Sequence, residues 1–402
     1  MKVPLLDVNA QNLPLEGELV AAFTRVLRSG TFILGPEVEA FERQIAEVLG
    51  VRNAIGVSSG TDAILLGLMA LGIGVGDEVL IPTFTFFATA GCVSRAGATP
   101  VFVDSCPTCF NIDVTDARQK VTARTKAIVP VHLFGQSADM DGVMALAREH
   151  GLHVIEDAAQ ALGAAYKGRF CGSIGDFGTY SFFPSKNLGG FGDGGMLVTD
   201  NDDLAEKARI MRVHGSRPKY FHKYVGGNFR LDSVHAALLR VKAQHNAKFT
   251  EARRANAVYY EQRLRHVAGI GLRPDMNGGC GSCEALSETS EVRIQLPATH
   301  PPNHHIWNQF TIQVLGRGNR DALKKDLADK GIGSEIYYPL TMDQQECFAD
   351  LSIRGQKTCP VAHRLSKEVL GLPIYPELSD QMKDAVIDGI ISFLASRAYT
   401  PA

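Results

Sequence analysis

The chain has 402 residues, of which 45% are hydrophobic and 21% are charged, and its formal net charge is −2. This length exceeds the size at which a single hydrophobic core stops growing, so we expect two domains of an ordinary globular protein. The near-neutral charge argues against a nucleic-acid partner, and the lack of any apolar run of about 18 residues argues against a membrane partner. Because the N-terminal stretch also lacks an apolar signal segment, we expect a cytoplasmic protein.

Short β-rich runs alternate with amphipathic helical runs through the first half of the chain. Strands are predicted at NAIGVSS, DEVLIP, TPVFVD, KAIVPVHL and LHVIED. This alternation is typical of a mostly parallel sheet covered by helices on both faces. Ligands of such sheets bind beyond the carboxyl ends of the strands, so functional residues are expected just after each run.

The first strand leads into VSSGTDA, where serine, glycine and threonine begin a helix. Free N–H groups at a helix start, with hydroxyls beside them, form a phosphate site. The alternative is an ordinary helix cap, which Ser and Thr supply in many proteins, and this stretch alone does not decide between the two.

The run HVIEDAAQA places Asp157 at the end of a buried strand. A buried carboxylate needs a cationic or hydrogen-bonding partner, which in most proteins is a helix N-terminus or a backbone turn. The functional alternative is the ring nitrogen of a cofactor, which the carboxylate would keep protonated.

Lys186 lies in SFFPSKNLGGFGDGGMLVTD, between an apolar run and a loop with five glycines from Gly189 to Gly195. It could be a loop lysine that extends into water, or a desolvated lysine with a lowered pKa, suited to Schiff-base chemistry. The letters GFGDGG match a dinucleotide fingerprint, but a strand follows instead of a helix, which excludes that interpretation. We expect the glycines to form a tight turn with positive φ and to let the backbone approach a ligand.

The second half of the chain predicts a change of architecture. From Leu231 to about Val267 the apolar spacing indicates one long helix or two abutting ones. A Gly-, Ser- and Pro-rich segment around 274–303 is expected to be mostly an exposed insertion, within a smaller α+β domain. We predict a large domain at 1–247 and a small one at 248–402.

Eight cysteines are too few for a disulfide framework in a chain of this length. Two CxxC pairs, Cys106/Cys109 and Cys280/Cys283, could hold a zinc ion if the fold brought them together. Nothing in the sequence shows that it does, so we expect loop cysteines and no metal.

A phosphate site, a buried aspartate and a desolvated lysine at one sheet edge together fit one cofactor. Pyridoxal 5′-phosphate needs an anion site, an acidic partner for its pyridine nitrogen and an amine for its aldehyde. The three signals therefore predict a pyridoxal-phosphate site.

Ordered motifs over nearly the whole chain resemble the DegT/DnrJ/EryC1/StrS family of pyridoxal-phosphate-dependent nucleotide-sugar aminotransferases. They are SGTFILGPEVEAFE, SSGTDA, PTFTFFATA, VPVHLFGQSADMD, VIEDAAQALGA, GDFGTYSFFPSKNLGGFGDGGMLVT, GGNFRLDSVHAALL and GIGSEIYYPL. The resemblance implies an α/β, fold-type-I (aspartate aminotransferase-like) architecture, with a mostly parallel sheet in the large domain and a smaller α+β C-terminal domain.

The resemblance also implies roles at the cofactor ring. Lys186 would form the Schiff base with the cofactor and then serve as the general base. Asp157 would pair with the ring nitrogen, and Gln160 would hydrogen-bond near the phenolic oxygen. Phe86 would stack on the ring, although plain core packing is the alternative for this residue.

The cofactor phosphate would be held, by the same resemblance, by Gly60, Thr61 and Ser181. Asn228 of a neighbouring subunit would join them, so the active unit would be a homodimer with shared sites. The alternative for Asn228 and Arg230 is that they cap the following helix and pair with a carboxylate.

The reaction implied is transamination, with glutamate as donor and a nucleotide-linked keto-sugar as acceptor. Lys186 argues against the dehydratases of the family, which carry histidine there. The motifs favour C3 of a keto-sugar or keto-uronic acid over C4. His214, Trp307, Asn308 and Tyr338 are candidates for the sugar pocket, with a structural role equally open.

Two further functions stay open at this point. One is a non-enzymatic sensor or assembly protein that keeps the cofactor site. The other is a nucleotide-binding protein without pyridoxal phosphate, which the lack of a GxxxxGK[ST] motif disfavours.

Overall fold

The structure is a computed structural model that describes residues 1–272, 293–297, 299–301, 303–353 and 358–396. The helices of this part are α1 Val8–Asn12, α2 Glu16–Ser29, α3 Pro36–Leu49, α4 Gly60–Leu71, α5 Phe87–Arg95, α6 Val114–Gln119, α7 Met140–His150, α8 Asp202–Met211, α9 Ser233–Ala243, α10 Asn246–Leu264, α11 Asn319–Asp329, α12 Ala349–Ile353, α13 Pro360–Glu368 and α14 Asp380–Ser396. The strands are β1 Asn53–Val57, β2 Glu78–Pro82, β3 Thr99–Val103, β4 Thr125–Ile128, β5 His153–Asp157, β6 Ala165–Tyr166, β7 Arg169–Phe170, β8 Phe177–Ser181, β9 Gly195–Thr199, β10 Ile270–Leu272, β11 Ile294–Leu296, β12 Asn303–His304, β13 Phe310–Val314 and β14 Val369–Leu372.

A seven-stranded sheet with the order β1-β9-β8-β5-β4-β2-β3 forms the centre of the molecule. Strand β9 runs antiparallel to both of its neighbours, and the other adjacent pairs are parallel. The mostly parallel sheet predicted from the βα alternation is therefore confirmed.

Helices cover both faces of this sheet, and β9 shows how the sequence achieves it. Leu197 packs in one core cluster with Leu66 of α4. Its neighbour Val198 packs in another cluster with Phe41 of α3. Because successive side chains of a strand point to opposite faces, a continuous apolar run such as MLV is buried on both sides.

The predicted strand KAIVPVHL is shorter in the structure than its sequence suggested. Strand β4 ends at Ile128, and pairing with β5 resumes only at a single bridge between Val131 and Asp157. Pro130 lies between the two, and it cannot donate a ladder hydrogen bond because it has no N–H group. Its carbonyl oxygen accepts the N–H of Asp157 at 2.9 Å.

The segment after Leu231 forms two helices, α9 and α10, so the second of the two predicted arrangements is observed. Beyond them, a four-stranded sheet has the order β10-β11-β13-β14. Helices α10, α11 and α14 share a hydrophobic core with this sheet, which includes Tyr260, Phe310 and Ile387.

Each core also receives residues from distant parts of the chain. Val3 belongs to the core of the four-stranded sheet and exchanges backbone hydrogen bonds with Gly331 and Gly333. Met342 and Phe348 instead pack in a core cluster of the central sheet. The division into domains at residues 247 and 248 stays a prediction.

The predicted insertion around 274–303 lies largely outside the described residues, and so do Cys280 and Cys283. Within it, however, Ile294–Leu296 form the buried strand β11, so this part is not exposed. No helix of the described ranges is both long and apolar enough to cross a membrane.

Candidate active site

Lys186 lies in the loop that follows β8 and is partly buried. Burial lowers the pKa of its ammonium group from 10.5 to about 8, against the opposing attraction of the Asp157 carboxylate. An amine with this pKa is partly neutral near physiological pH and is therefore a usable nucleophile and base. The structure thus favours the desolvated alternative over a loop lysine in water.

Asn187 anchors the loop next to this lysine, a role that the sequence analysis did not foresee. Its Nδ2 donates to the carbonyl oxygen of Ile306 at 3.2 Å, and its Oδ1 accepts from Nδ2 of Asn308 at 2.7 Å. Both asparagines are almost fully buried. Asn308, expected near the sugar, is therefore committed to the loop that carries Lys186.

The glycine loop owes its composition to close packing. None of the glycines between Gly189 and Gly195 has positive φ, so that part of the prediction is wrong. A Cβ on Gly190 would collide with the ring of His235, and one on Gly195 would collide with the carbonyl group of Ser59. At Gly190 and Gly195 the backbone is approached by protein groups that leave no room for a side chain.

Asp157 ends β5 and is held through both carboxylate oxygens. Oδ2 accepts the hydroxyl proton of Thr89 at 2.8 Å, and Oδ1 accepts the N–H of Ala159 at 3.1 Å. Asp157 is 5% exposed, and Thr89 is fully buried. These bonds fix the carboxylate plane, and neither partner is a cation, so the carboxylate can still pair with a cationic ligand.

Gln160 follows Asp157 by three residues and bonds to two distant segments. Its Oε1 accepts the N–H of Phe134 at 2.6 Å, and its Nε2 donates to the hydroxyl of Tyr338 at 3.1 Å. The sequence analysis named Tyr338 as a candidate for the sugar pocket, with a structural role equally open, and did not foresee a contact with Gln160. The contact with Gln160 joins two segments far apart in the chain.

Helix α4 begins beside β8 at the same edge of the sheet. The hydroxyl of Ser59 caps the helix by accepting the N–H of Asp62 at 3.0 Å. A Cβ built on Gly60 would lie 2.8 Å from the Cβ of Ser181. Gly60, Thr61 and Ser181 are therefore brought together, with the first N–H groups of the helix available to an anion.

Phe86 lies immediately before α5 and is 58% exposed, which excludes plain core packing within this chain.

Asn228 is also exposed, and it does not cap helix α9, whose N-cap residue is Asp232. The buried Nε of Arg230 has no hydrogen-bond partner among the described residues. The helix-cap and carboxylate alternatives for Asn228 and Arg230 thus find no support in these contacts.

The remaining sugar-pocket candidates differ in their surroundings. Trp307 is buried, stacked on His305 at a ring-centroid distance of 3.8 Å. His214 is exposed and has positive φ. Only His214 and Tyr338 therefore retain a side chain that can meet a ligand.

The CxxC pair of Cys106 and Cys109 is buried in a turn, in which the N–H of Cys109 approaches the sulfur of Cys106 at 3.5 Å. Within the ranges that the structure describes, no three His, Cys, Asp or Glu residues are grouped to hold a metal ion. The second pair lies outside those ranges.

These residues fit pyridoxal 5′-phosphate. The desolvated amine of Lys186 suits the cofactor aldehyde, and the fixed carboxylate of Asp157 suits a protonated ring nitrogen. The helix start at Gly60, which lies against the end of β8 at Ser181, suits the phosphate.

Comparison with known proteins gives the family. The sequence profile of the DegT/DnrJ/EryC1/StrS aminotransferase family matches residues 15–279 and 283–391. The "pleiotropic regulatory protein" of Geobacillus stearothermophilus is 44% identical over 98% of this chain and 99% of its own length. The UDP-N-acetyl-3-dehydro-alpha-D-glucosamine 3-aminotransferase of Acidithiobacillus ferrooxidans is 44% identical over 94% of both chains.

Among solved structures, DesV of S. venezuelae superposes with a TM-score of 0.88 at 38% identity, covering 99% of this chain and 100% of DesV. This similarity confirms the predicted α/β fold of the pyridoxal-phosphate-dependent sugar aminotransferases. The chain therefore belongs to the DegT/DnrJ/EryC1/StrS aminotransferase family, whose cofactor is pyridoxal 5′-phosphate.

Proposed function

We propose that the protein transfers the amino group of glutamate to a keto-sugar carried on a nucleotide, and that the keto group is at position 3. The observation that carries the aminotransferase function is the lysine with a pKa of about 8 beside the fixed carboxylate of Asp157. The position on the sugar is supported by the name of the Acidithiobacillus relative, a 3-aminotransferase of a UDP-linked 3-dehydro sugar.

Pyridoxal phosphate, when bound, supplies a ring that draws electrons from the carbon bearing the amino group. Lys186 Nζ would take the proton from the α-carbon of glutamate and later return one to C3 of the sugar. Its low pKa supports both steps, since the amine can hold or release a proton near neutral pH. Asp157 would keep the ring nitrogen protonated.

The other residues would orient the cofactor. Gly60, Thr61 and Ser181 meet where helix α4 starts beside β8, so we place the phosphate there. The exposed ring of Phe86 would cover one face of the cofactor ring. Gln160 would hold the phenolic oxygen with the second hydrogen of Nε2, since the first is donated to Tyr338.

A homodimer with shared active sites is part of the proposal. Asn228 is exposed on its own chain, and we find no hydrogen bond of its side chain among the described residues. The carbonyl oxygen of the next residue, Phe229, accepts the N–H of Ser58 at 3.0 Å, which fixes the segment on the surface. We propose that Asn228 completes the phosphate site of the partner. The cytoplasmic location stays a prediction.

A non-enzymatic regulator is the second candidate, because the Geobacillus relative carries a regulatory name. The same cofactor site could serve a sensor. Lys186 and Asp157 are both present here, in an arrangement that supports proton transfer. A sensor would not need proton transfer. Transamination is therefore the stronger candidate.

The visible absorbance spectrum of the purified protein with bound cofactor, before and after addition of glutamate, tests the first half of the reaction. We expect the band to shift towards the amino form of the cofactor, and Lys186→Ala to show no such shift. A wild-type protein that binds the cofactor but does not respond to glutamate would support the regulator instead.

The acceptor is tested with protein that carries the amino form of the cofactor. Nucleotide-linked 3-keto and 4-keto sugars are supplied to it in parallel. We expect the original spectrum to return only with the 3-keto sugar. Return with the 4-keto sugar alone would overturn the assignment of position 3 and leave the aminotransferase function intact.

A further inference from the structure

Tyr338 lies in a loop whose backbone is fixed on both sides. On one side, Glu335 and Gly371 exchange two backbone hydrogen bonds of 3.1 and 2.7 Å. On the other, the N–H of Met342 donates to the carbonyl oxygen of Thr83 at 2.8 Å. Thr83 follows strand β2 directly, at the sheet edge that carries the active-site residues. Tyr338 is thus held at this edge by main-chain contacts.

Two phenylalanine rings and one amide fix the Tyr338 side chain itself. The Tyr338 ring centroid is 6.1 Å from that of Phe84, edge-on, and 6.2 Å from that of Phe86. The hydroxyl accepts from Nε2 of Gln160 at 3.1 Å. The Tyr338 side chain therefore lies between Phe86, proposed to stack on the cofactor ring, and Gln160, proposed to bind the phenolic oxygen of the cofactor.

The direction of the hydrogen bond from Gln160 follows from its other partner. The backbone N–H of Phe134 can only donate, so the atom of Gln160 that faces it at 2.6 Å must be Oε1. Nε2 then faces Tyr338, whose oxygen must accept. The hydroxyl proton of Tyr338 is left to be donated elsewhere, and no acceptor for it occurs in the described part of the chain.

This proton stays on the oxygen at physiological pH. Burial raises the pKa of Tyr338 above its ordinary value of 10, and the negative charge of Asp157 raises it further. Buried polar groups of proteins are hydrogen-bonded. The partly buried Tyr338 hydroxyl is therefore expected to donate its proton to an acceptor on a ligand.

We propose that Tyr338 is a further cofactor-contacting residue, whose hydroxyl donates a hydrogen bond to the phenolic oxygen of pyridoxal phosphate beside Gln160. The proposal rests on the proposed position of Gln160 at that oxygen. Two donors on one oxygen stabilise its negative charge and lower the proton affinity of the bound cofactor.

A pH titration of the visible absorbance of the cofactor-bound protein, without any substrate, tests this role. Tyr338→Phe keeps the ring and its contacts with Phe84 but removes the proton donor. We expect the spectral midpoint to rise by roughly one pH unit. The dissociation constant of the cofactor, measured by dilution in parallel, is expected to rise severalfold.

Tyr337→Phe is the matched control. It removes a hydroxyl one residue away, while the ring contact of 6.0 Å with Tyr338 is retained. We expect its midpoint to equal that of the wild type. Equal midpoints for both variants would overturn the proposal, and a raised KM for glutamate in Tyr338→Phe alone would then assign the hydroxyl to the substrate.

The titration is independent of catalysis, which keeps the two proposals separable. A wild-type protein with a titrating cofactor band but no response to glutamate would count against transamination alone. A normal response to glutamate with an unshifted midpoint in Tyr338→Phe would count against the role of Tyr338 alone.

Discussion

Gly60 and Ser181 approach each other so closely that a Cβ built on Gly60 would lie 2.8 Å from the Cβ of Ser181. Gly60 is the first residue of helix α4, and Ser181 is the last residue of strand β8. A glycine is therefore required for the helix N-terminus to reach the strand end, and this contact forms the proposed phosphate site.

Gly60→Ala is expected to displace Ser181 and to raise the dissociation constant of the cofactor by about tenfold. Equilibrium dialysis of the apoprotein measures this. Gly67→Ala in the same helix is the control, because its Cβ would meet its nearest neighbour, Leu197, at an ordinary 3.5 Å. Equal affinities in the two variants would show that the contact at Gly60 does not shape the phosphate site.

The rate at which the apoprotein takes up pyridoxal phosphate should rise with pH, with a midpoint near 8. Only the neutral amine of Lys186 attacks the aldehyde, and its pKa is about 8. At pH 7.5 roughly a quarter of the amine is then neutral, compared with roughly a thousandth for an ordinary lysine. Stopped-flow absorbance measures the rate, with Lys186→Ala as the unreactive control. A rate still rising steeply above pH 9.5 would contradict the lowered pKa.

The sequence predicted the parts of the site that belong to local patterns. The alternation of strands and helices placed Asp157 at the end of its strand and Gly60 and Lys186 after theirs, and parallel topology then brings strand ends to one edge. Three signals were readable without knowledge of contacts: a helix start suited to a phosphate, a buried acid and a lysine beside an apolar run. Each alone left a structural alternative open, and only their combination predicted the cofactor.

Contacts between distant segments could not be predicted in this way. Asn187 and Asn308 bond to each other although they lie in different halves of the chain, and so do Gln160 and Tyr338. Neither pair leaves a periodic signal in the sequence. The prediction of positive φ in the glycine loop was wrong for a related reason. Glycine is needed at position 190 because the His235 ring lies against its backbone, and not because of its own dihedral angles.

Thr89→Val is expected to slow the half-reaction with glutamate roughly tenfold to a hundredfold, because a hydrogen bond to a charged group is lost. The valine keeps the shape of Thr89 but cannot donate to Oδ2 of Asp157. Single-turnover absorbance measures the rate. Thr89→Ser retains the hydroxyl and should recover most of the wild-type rate. Equal rates in Thr89→Val and Thr89→Ser would show that packing, and not the hydrogen bond, matters here.

Glu156 is buried and accepts hydrogen bonds from the N–H groups of Gly172, Ile174 and Gly175. Nδ1 of His132 accepts the N–H of Ala138 at 3.1 Å, so Nε2 carries the proton and donates to Glu156 at 2.8 Å. Burial acts to raise the pKa of Glu156, but the bond from His132 and the backbone donors outweigh it and hold the pKa below 4.5.

Glu156→Gln should therefore lower the free energy of unfolding by about 3 kcal/mol at pH 7, measured by urea denaturation. A carboxylate with a lowered pKa stabilises the fold fully above about pH 4.5 and loses that contribution as the pH falls through the folded-state pKa. The difference between wild type and variant should shrink in the same range. Glu47→Gln, on the surface of α3, is the control. It should change neither the free energy of unfolding at pH 7 nor its dependence on pH.

Asn228→Ala and Lys186→Ala should each be inactive alone and should recover activity when mixed. If Asn228 completes the site of the partner, a mixed dimer carries both defects in one site and leaves the other site intact. Random exchange of subunits in an equal mixture then restores about a quarter of the wild-type sites. Activity after mild unfolding and refolding of the mixture measures this, with each variant refolded alone as the control. No recovery in a mixture shown to contain mixed dimers would mean that Asn228 acts within its own chain.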